Sequence, residues 1–166
     1  MNLQLTLITV LLLTTIGPFA ASRGPQKESE PQRLITASHF LEEKPLDKEA
    51  KDIRSWAITW IIQTDKVSVK ACSLIIGGVD KKYKYSSELF GQYTIGMAAF
   101  KLANPDKVAD ENASQLAGVE SAISCYQAIL QAQPKAQNAF MDDLVAKRGN
   151  GTLSEYVLAN NCKDKR

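Results

Sequence analysis

Between Asp110 and Gln133 the residues Leu116, Val119, Ile123, Tyr126 and Leu130 recur at three- and four-residue intervals. That spacing puts them on one stripe of an α-helix and gives the geometry of a helix-bundle seam. A helix of this length with one apolar face must bury that face against other elements. The rest of the chain offers further helices for this purpose. Val67-Ser68-Val69 alternates as a strand does, but no partner strand is visible anywhere else in the sequence. The expectation is therefore an all-α domain, a compact bundle or orthogonal array of five to six helices.

The flanking segments fit this reading. A short helical segment is expected over Arg33 to Glu43, with Leu34, Ile35, Ala37, Phe40 and Leu41 inward and Lys44-Pro45 interrupting it. Asp47 reads as the N-cap of the next helix. Ile53, Trp56, Ala57, Trp60 and Ile61 make its wide apolar face, and Ile58 and Ile62 extend that face until the helix reads as the most buried. Thr64-Asp65 reads as the cap of a helix over Lys66 to Ile76, stopped by Gly77-Gly78. Ser86 opens another, with Leu89, Phe90, Tyr93, Met97 and Phe100 inward, closed by Asn104-Pro105. Pro134 is expected to open a helix over Lys135 to Lys147 that Gly149 ends. Thr152-x-x-Glu155 has the form of a capping box ahead of Leu153, Tyr156 and Val157.

The N-terminus reads differently. Leu3 to Ile16 is uncharged and rich in Leu, Ile, Val and Thr; Gly17-Pro18 breaks the run, and Ala20, Ala21 and Ser22 follow. An apolar core of about 7–15 residues followed by small side chains is the pattern of a cleaved secretory signal. Residues 1–22 are expected to be that signal, although Met1-Asn2 supplies no lysine or arginine. Residues 23–32 read as a disordered linker and 33–166 as a single helical domain. The run is too short to span a bilayer, for which about 20 apolar residues are needed. No stable membrane span is expected after cleavage, and the expected location is secreted or periplasmic. A bacterial and a eukaryotic route both remain open.

The formal charge is +2, with lysine and glutamate interspersed, so no single-sign field recruits nucleic acid. In an oxidising compartment Cys72, Cys125 and Cys162 imply one disulfide and one leftover thiol. Three pairings are possible. The preferred one is Cys72–Cys162, which ties the C-terminus to an earlier helix and leaves Cys125 buried as a small hydrophobe.

A partial resemblance accompanies these features. Ala122, Tyr126, Ile129, Leu130 and Pro134 are spaced as in the second helix of a tetratricopeptide repeat. The preceding helix lacks that family's aromatic–glycine pattern, and no 34-residue period recurs. The spacing reads as packing.

No catalytic constellation stands out. His39 is the only histidine and has no evident nucleophile partner. The carboxylate pairs Glu42-Glu43, Asp110-Glu111 and Asp142-Asp143 are adjacent in sequence, so their members diverge by about 100° on a helix. No metal site or cofactor motif is expected. The densest cationic and aromatic cluster is Lys81, Lys82, Tyr83, Lys84 and Tyr85, which reads either as a contact patch for an acidic partner, a glycan or a peptidoglycan-like polymer or, the preferred reading, as a solvated loop whose tyrosines fold back on the core. Trp56, Trp60, Tyr93, Phe100 and Tyr126 read either as core or as the lining of an apolar pocket. Asn112-Ala113-Ser114 and Asn150-Gly151-Thr152 have the form of glycosylation acceptors. The leading expectation is a non-enzymatic module that binds another exported protein or an envelope component. A carrier of a small apolar ligand is the alternative, and a carboxylate-based hydrolase ranks third.

Overall fold

The computed structural model describes residues 28–162; the expected signal and half of the expected linker, residues 23–27, lie outside the described residues. Seven α-helices and no strand occur among the described residues. They are α1 (Glu30–Glu43), α2 (Ala50–Gln63), α3 (Ser73–Ile76), α4 (Ser86–Ala103), α5 (Glu111–Ala132), α6 (Ala139–Gly149) and α7 (Leu153–Asn160), with a 3-10 turn at Pro105–Lys107 after α4. The all-helical expectation holds.

Helix α1 begins three residues earlier than the linker reading placed it. The Ser29 hydroxyl accepts from the Gln32 amide, and Pro31 occupies the first turn, where its missing N–H is harmless. Asp47 does not cap α2 directly. Its carboxylate accepts from the Glu49 amide in a preceding turn, and the helix starts at Ala50. Ile62 is exposed and Ile58 half-buried, so α2 is not the most buried helix.

That place belongs to α4 and α5, which pack against each other along their length. Helix α4 is buried on more than one face. Leu89, Tyr93 and Met97 enter a core shared with Val119, Ile123, Tyr126 and Ile129 of α5 and with α3, α6 and α7. Ile95 and Ala98 enter a second core with Leu34 and Leu41 of α1 and Ala57 and Trp60 of α2. Phe90, expected inward, is exposed.

The largest departure is at Lys66 to Ile76. Only Ser73–Ile76 is helical; residues 67–72 follow an irregular path. Side chains from the central helices supply partners that a helix would have supplied internally. Lys101 Nζ donates to the Ser68 carbonyl at 3.0 Å, Gln115 Nε2 to the Lys70 carbonyl at 2.6 Å, and the Cys72 amide to Tyr93 Oη at 3.2 Å. Backbone polar groups leaving regular structure need partners of this kind when buried.

Two later boundaries also move. Residues 133–138 form a turn instead of opening a helix at Pro134, because the Asn138 side chain caps the Met141 amide and so sets the start of α6. The Thr152 hydroxyl donates to Asn150 Oδ1 at 2.6 Å, so the capping box with Glu155 does not form. Cys72 and Cys162 form the disulfide, with Cα atoms 5.5 Å apart, and Cys125 is free and buried.

Candidate functional site

The basic loop between α3 and α4 is divided by burial. Lys81, Lys82 and Lys84 are exposed, whereas Tyr85 is buried and Tyr83 half-buried. Tyr83 Oη donates to the Ala136 carbonyl at 2.6 Å, which pins the loop to the turn before α6. Burial, followed by the neighbouring Tyr85 and Asp142, pushes the Tyr83 hydroxyl up to about 12. The tyrosines therefore fold back onto the body, and the lysines alone face outward from the cluster.

Beside these lysines lies a cleft of about 360 Å³ between α3 and the start of α4. Ile76, Val79 and Phe90 form its apolar wall, and Lys81 stands at its edge. Phe90 is 45% exposed, and Leu74 on α3 is 65% exposed. Phe90 lies in the second turn of α4 and meets solvent on the same end of the helix as the exposed Ser87.

The five aromatic residues considered for an apolar pocket do not share one cluster. Trp56 and Trp60 belong to the core with α1, their rings 6.5 Å apart, with the Arg33 guanidinium 3.9 Å above Trp56 and Trp60 Nε1 donating to Glu30 at 3.0 Å. Tyr93 and Tyr126 lie in the other core. Their hydroxyls are engaged: Tyr93 donates to Gln115, and Tyr126 donates to Asp142 Oδ1 at 2.6 Å. Burial raises both to about 12, with the Asp142 hydrogen bond adding to the effect at Tyr126. Phe100 lines a separate cleft with α1.

Two of the three carboxylate pairs are split between different tasks. Asp110 Oδ1 caps α5 by accepting from the Ala113 amide, while Glu111 Oε1 pairs with the buried Lys101 at 2.6 Å. Asp142 holds Tyr126, and Asp143 pairs with Lys147 at 2.8 Å. Glu42 joins a network that sequence reasoning missed. Gln92 Nε2, fully buried, donates to Ser121 Oγ at 2.7 Å, and Ser121 in turn donates to Glu42 Oε1 at 2.5 Å. Ser38 Oγ also approaches Oε1 at 3.5 Å, and His39 Nδ1 lies 3.4 Å from Oε2. Its members come from α1, α4 and α5, and no spacing within one helix signals such a meeting.

Of the two acceptor sequons, Asn112 opens α5 with Ser114 fully buried, whereas Asn150-Gly151-Thr152 forms an exposed turn in which Gly151 has φ +79°. Among the described residues, no group of three or more histidine, cysteine, aspartate or glutamate side chains is arranged to hold a metal ion, and no helix is long and apolar enough to cross a membrane. No protein-family model matches the chain, and neither does any curated protein or solved structure.

Proposed function

We propose that this chain is an exported, non-enzymatic helical module that binds an acidic segment of another exported macromolecule. The binding surface is the cleft between α3 and α4 together with Lys81, Lys82 and Lys84. The observation that carries this reading is the exposed, apolar Phe90 wall in a cleft that Lys81 also lines, with Lys82 and Lys84 exposed on the same loop. Apolar side chains clustered at a surface and rimmed by charge mark interaction sites. Lysines at the rim select an acidic partner and speed its encounter, while the aromatic anchor supplies affinity.

Asp80 and Glu88 temper the local positive charge without cancelling it. The Asp80 carboxylate accepts from the Lys82 amide at 2.8 Å, and Glu88 accepts from the Ser87 hydroxyl at 2.9 Å. Export is supported by the Leu3–Ile16 run and by the Cys72–Cys162 pair, which suits an oxidising compartment.

The test is fluorescence anisotropy with a labelled acidic decapeptide carrying one central Phe, alongside its lysine-for-acid counterpart. The acidic peptide is expected to bind and the basic one not to. Phe90→Ala should weaken binding about tenfold, the scale of a modest aromatic hot spot. Lys81→Glu should weaken it and flatten its dependence on salt. Equal binding of the two peptides, or indifference to both substitutions, would sink the proposal.

A further inference from the structure

A second cleft, of about 190 Å³, lies where α1, α4 and α5 meet. Its body is apolar, walled by Ile35, Ala99, Phe100 and Ala117. Its other end is polar and contains Glu42, Ser38, His39 and Ser121. We infer that this cleft binds a small molecule with an apolar body and a protonated amine, the ammonium pairing with Glu42. The site is separate from the α3–α4 surface and stands or falls independently of it.

The argument rests on how Glu42 is held. The Gln92 amide donates to Ser121 Oγ, so the serine proton is left to point at Glu42 Oε1. Ser38 adds a longer contact to the same oxygen. Oε1 is thus committed and the carboxylate fixed in orientation. Oε2 has only the His39 contact, at 3.4 Å, from an imidazole that is 70% exposed. No described lysine or arginine pairs with this carboxylate, although it is only 23% exposed. A half-buried carboxylate with one oxygen fixed and the other weakly partnered favours a cation that can donate a short hydrogen bond. A preorganised acceptor also saves the ordering that a mobile side chain would require.

Size narrows the class further. A cavity of about 150 Å³ lined by apolar side chains accommodates benzene. The cleft here is of that order and below the range typical of drug-sized ligands. A single ring or a short alkyl chain bearing one ammonium group fits; a fatty acid or a nucleotide does not. An anionic head is disfavoured because His39 and Glu42 are the titratable side chains among its lining residues, and the carboxylate is the more buried of the two.

The probe is benzylamine, titrated into the isotopically labelled purified protein and followed by NMR, with benzyl alcohol and phenylacetate as controls of the same shape. Benzylamine is expected to saturate, shifting the amides of Ala99, Phe100 and Glu42. Benzyl alcohol should bind about tenfold more weakly, the ratio of one charge-assisted hydrogen bond. Glu42→Gln should lower benzylamine affinity by about the same factor and so remove most of its margin over benzyl alcohol. Ala117→Leu fills the apolar end without touching the carboxylate and should abolish binding of both, so the inference stays testable if Glu42→Gln fails to fold. It is overturned if benzylamine does not saturate at millimolar concentration, if benzyl alcohol binds equally well, or if phenylacetate binds best.

Discussion

Gly96 is the tightest point between the two central helices. An added Cβ there would lie 2.4 Å from Ser121 Cβ and 3.3 Å from the Gly118 backbone. Neither neighbour is the flexible end of a side chain, so α4 and α5 must move apart. Gly96→Ala is expected to lower stability by about 1–3 kcal/mol despite the better helix propensity of alanine. Gly91 is the contrast, because its Cβ would meet only Arg54 Cδ at 3.0 Å, on a side chain that can shift. Gly91→Ala should be neutral or stabilising by up to about 1 kcal/mol. Urea denaturation of the two variants separates these outcomes. The sequence showed two glycines five residues apart but not which one a neighbour approaches, since that depends on the rotation of α5. The same holds for Glu42: its place beside Glu43 was visible, and its meeting with Ser121 and Gln92 was not. The tyrosines carry a pH prediction at this scale. Burial raises the Tyr93 and Tyr126 hydroxyls to about 12 against an ordinary value of 10.0. The folded state holds these protons more tightly than the unfolded chain, so stability is unaffected below pH about 10 and falls as pH rises towards about 12. A spectroscopic titration should show tyrosinate absorbance for these groups appearing late, together with loss of helical circular dichroism. Ionisation of all tyrosines near pH 10 with the helices intact would contradict it.

Elements with strong internal signals were legible from sequence, and elements whose backbone is held by other elements were not. The ends of α5 fall within a residue of those expected, because Asp110 caps its start and Pro134 follows its end. The segment 67–72 was misassigned because three side chains distant in sequence, Tyr93, Lys101 and Gln115, satisfy it. Residue spacing within 67–72 carries no trace of them. Lys101 is the most informative of the three. Its side chain is 3% exposed, and it bridges the Ser68 carbonyl and Glu111. Lys101→Met preserves the stem and removes the donor, leaving the Ser68 carbonyl and the Glu111 carboxylate without it. Glu111 is 37% exposed, so part of its charge is returned to water and the loss is expected at about 2–3 kcal/mol, below the full value for a buried pair. Adding Glu111→Gln should recover part of that loss, because the orphaned charge is then gone. A double-mutant cycle in urea measures the coupling. Additive effects would mean that the pair contributes nothing beyond its separate hydrogen bonds.

The two cores have different exposure to redox chemistry. Cys72 belongs to the core formed by α3 to α7, and its partner Cys162 follows α7. The other core, built on α1, α2 and the opposite side of α4, has no cysteine. A crosslink spanning 90 residues stabilises by about 4–5 kcal/mol in the chain-entropy picture. Reduction removes that constraint from one core only. Cys72 also presents its amide to Tyr93 Oη, so freeing the C-terminal end loosens the irregular segment as well as α7. Hydrogen exchange after mild reduction is therefore expected to show α3 and α7 losing protection first, with α1 and α2 still protected. Cys125 supplies an internal reporter. Its thiol is buried and pushed up to about 12, chiefly by desolvation, so alkylation at neutral pH should be negligible in the oxidised protein. It should rise after reduction in step with exchange at α7. Alkylation that instead keeps pace with opening of α1 and α2 would mean that the two cores unfold as a single unit and that the disulfide guards both.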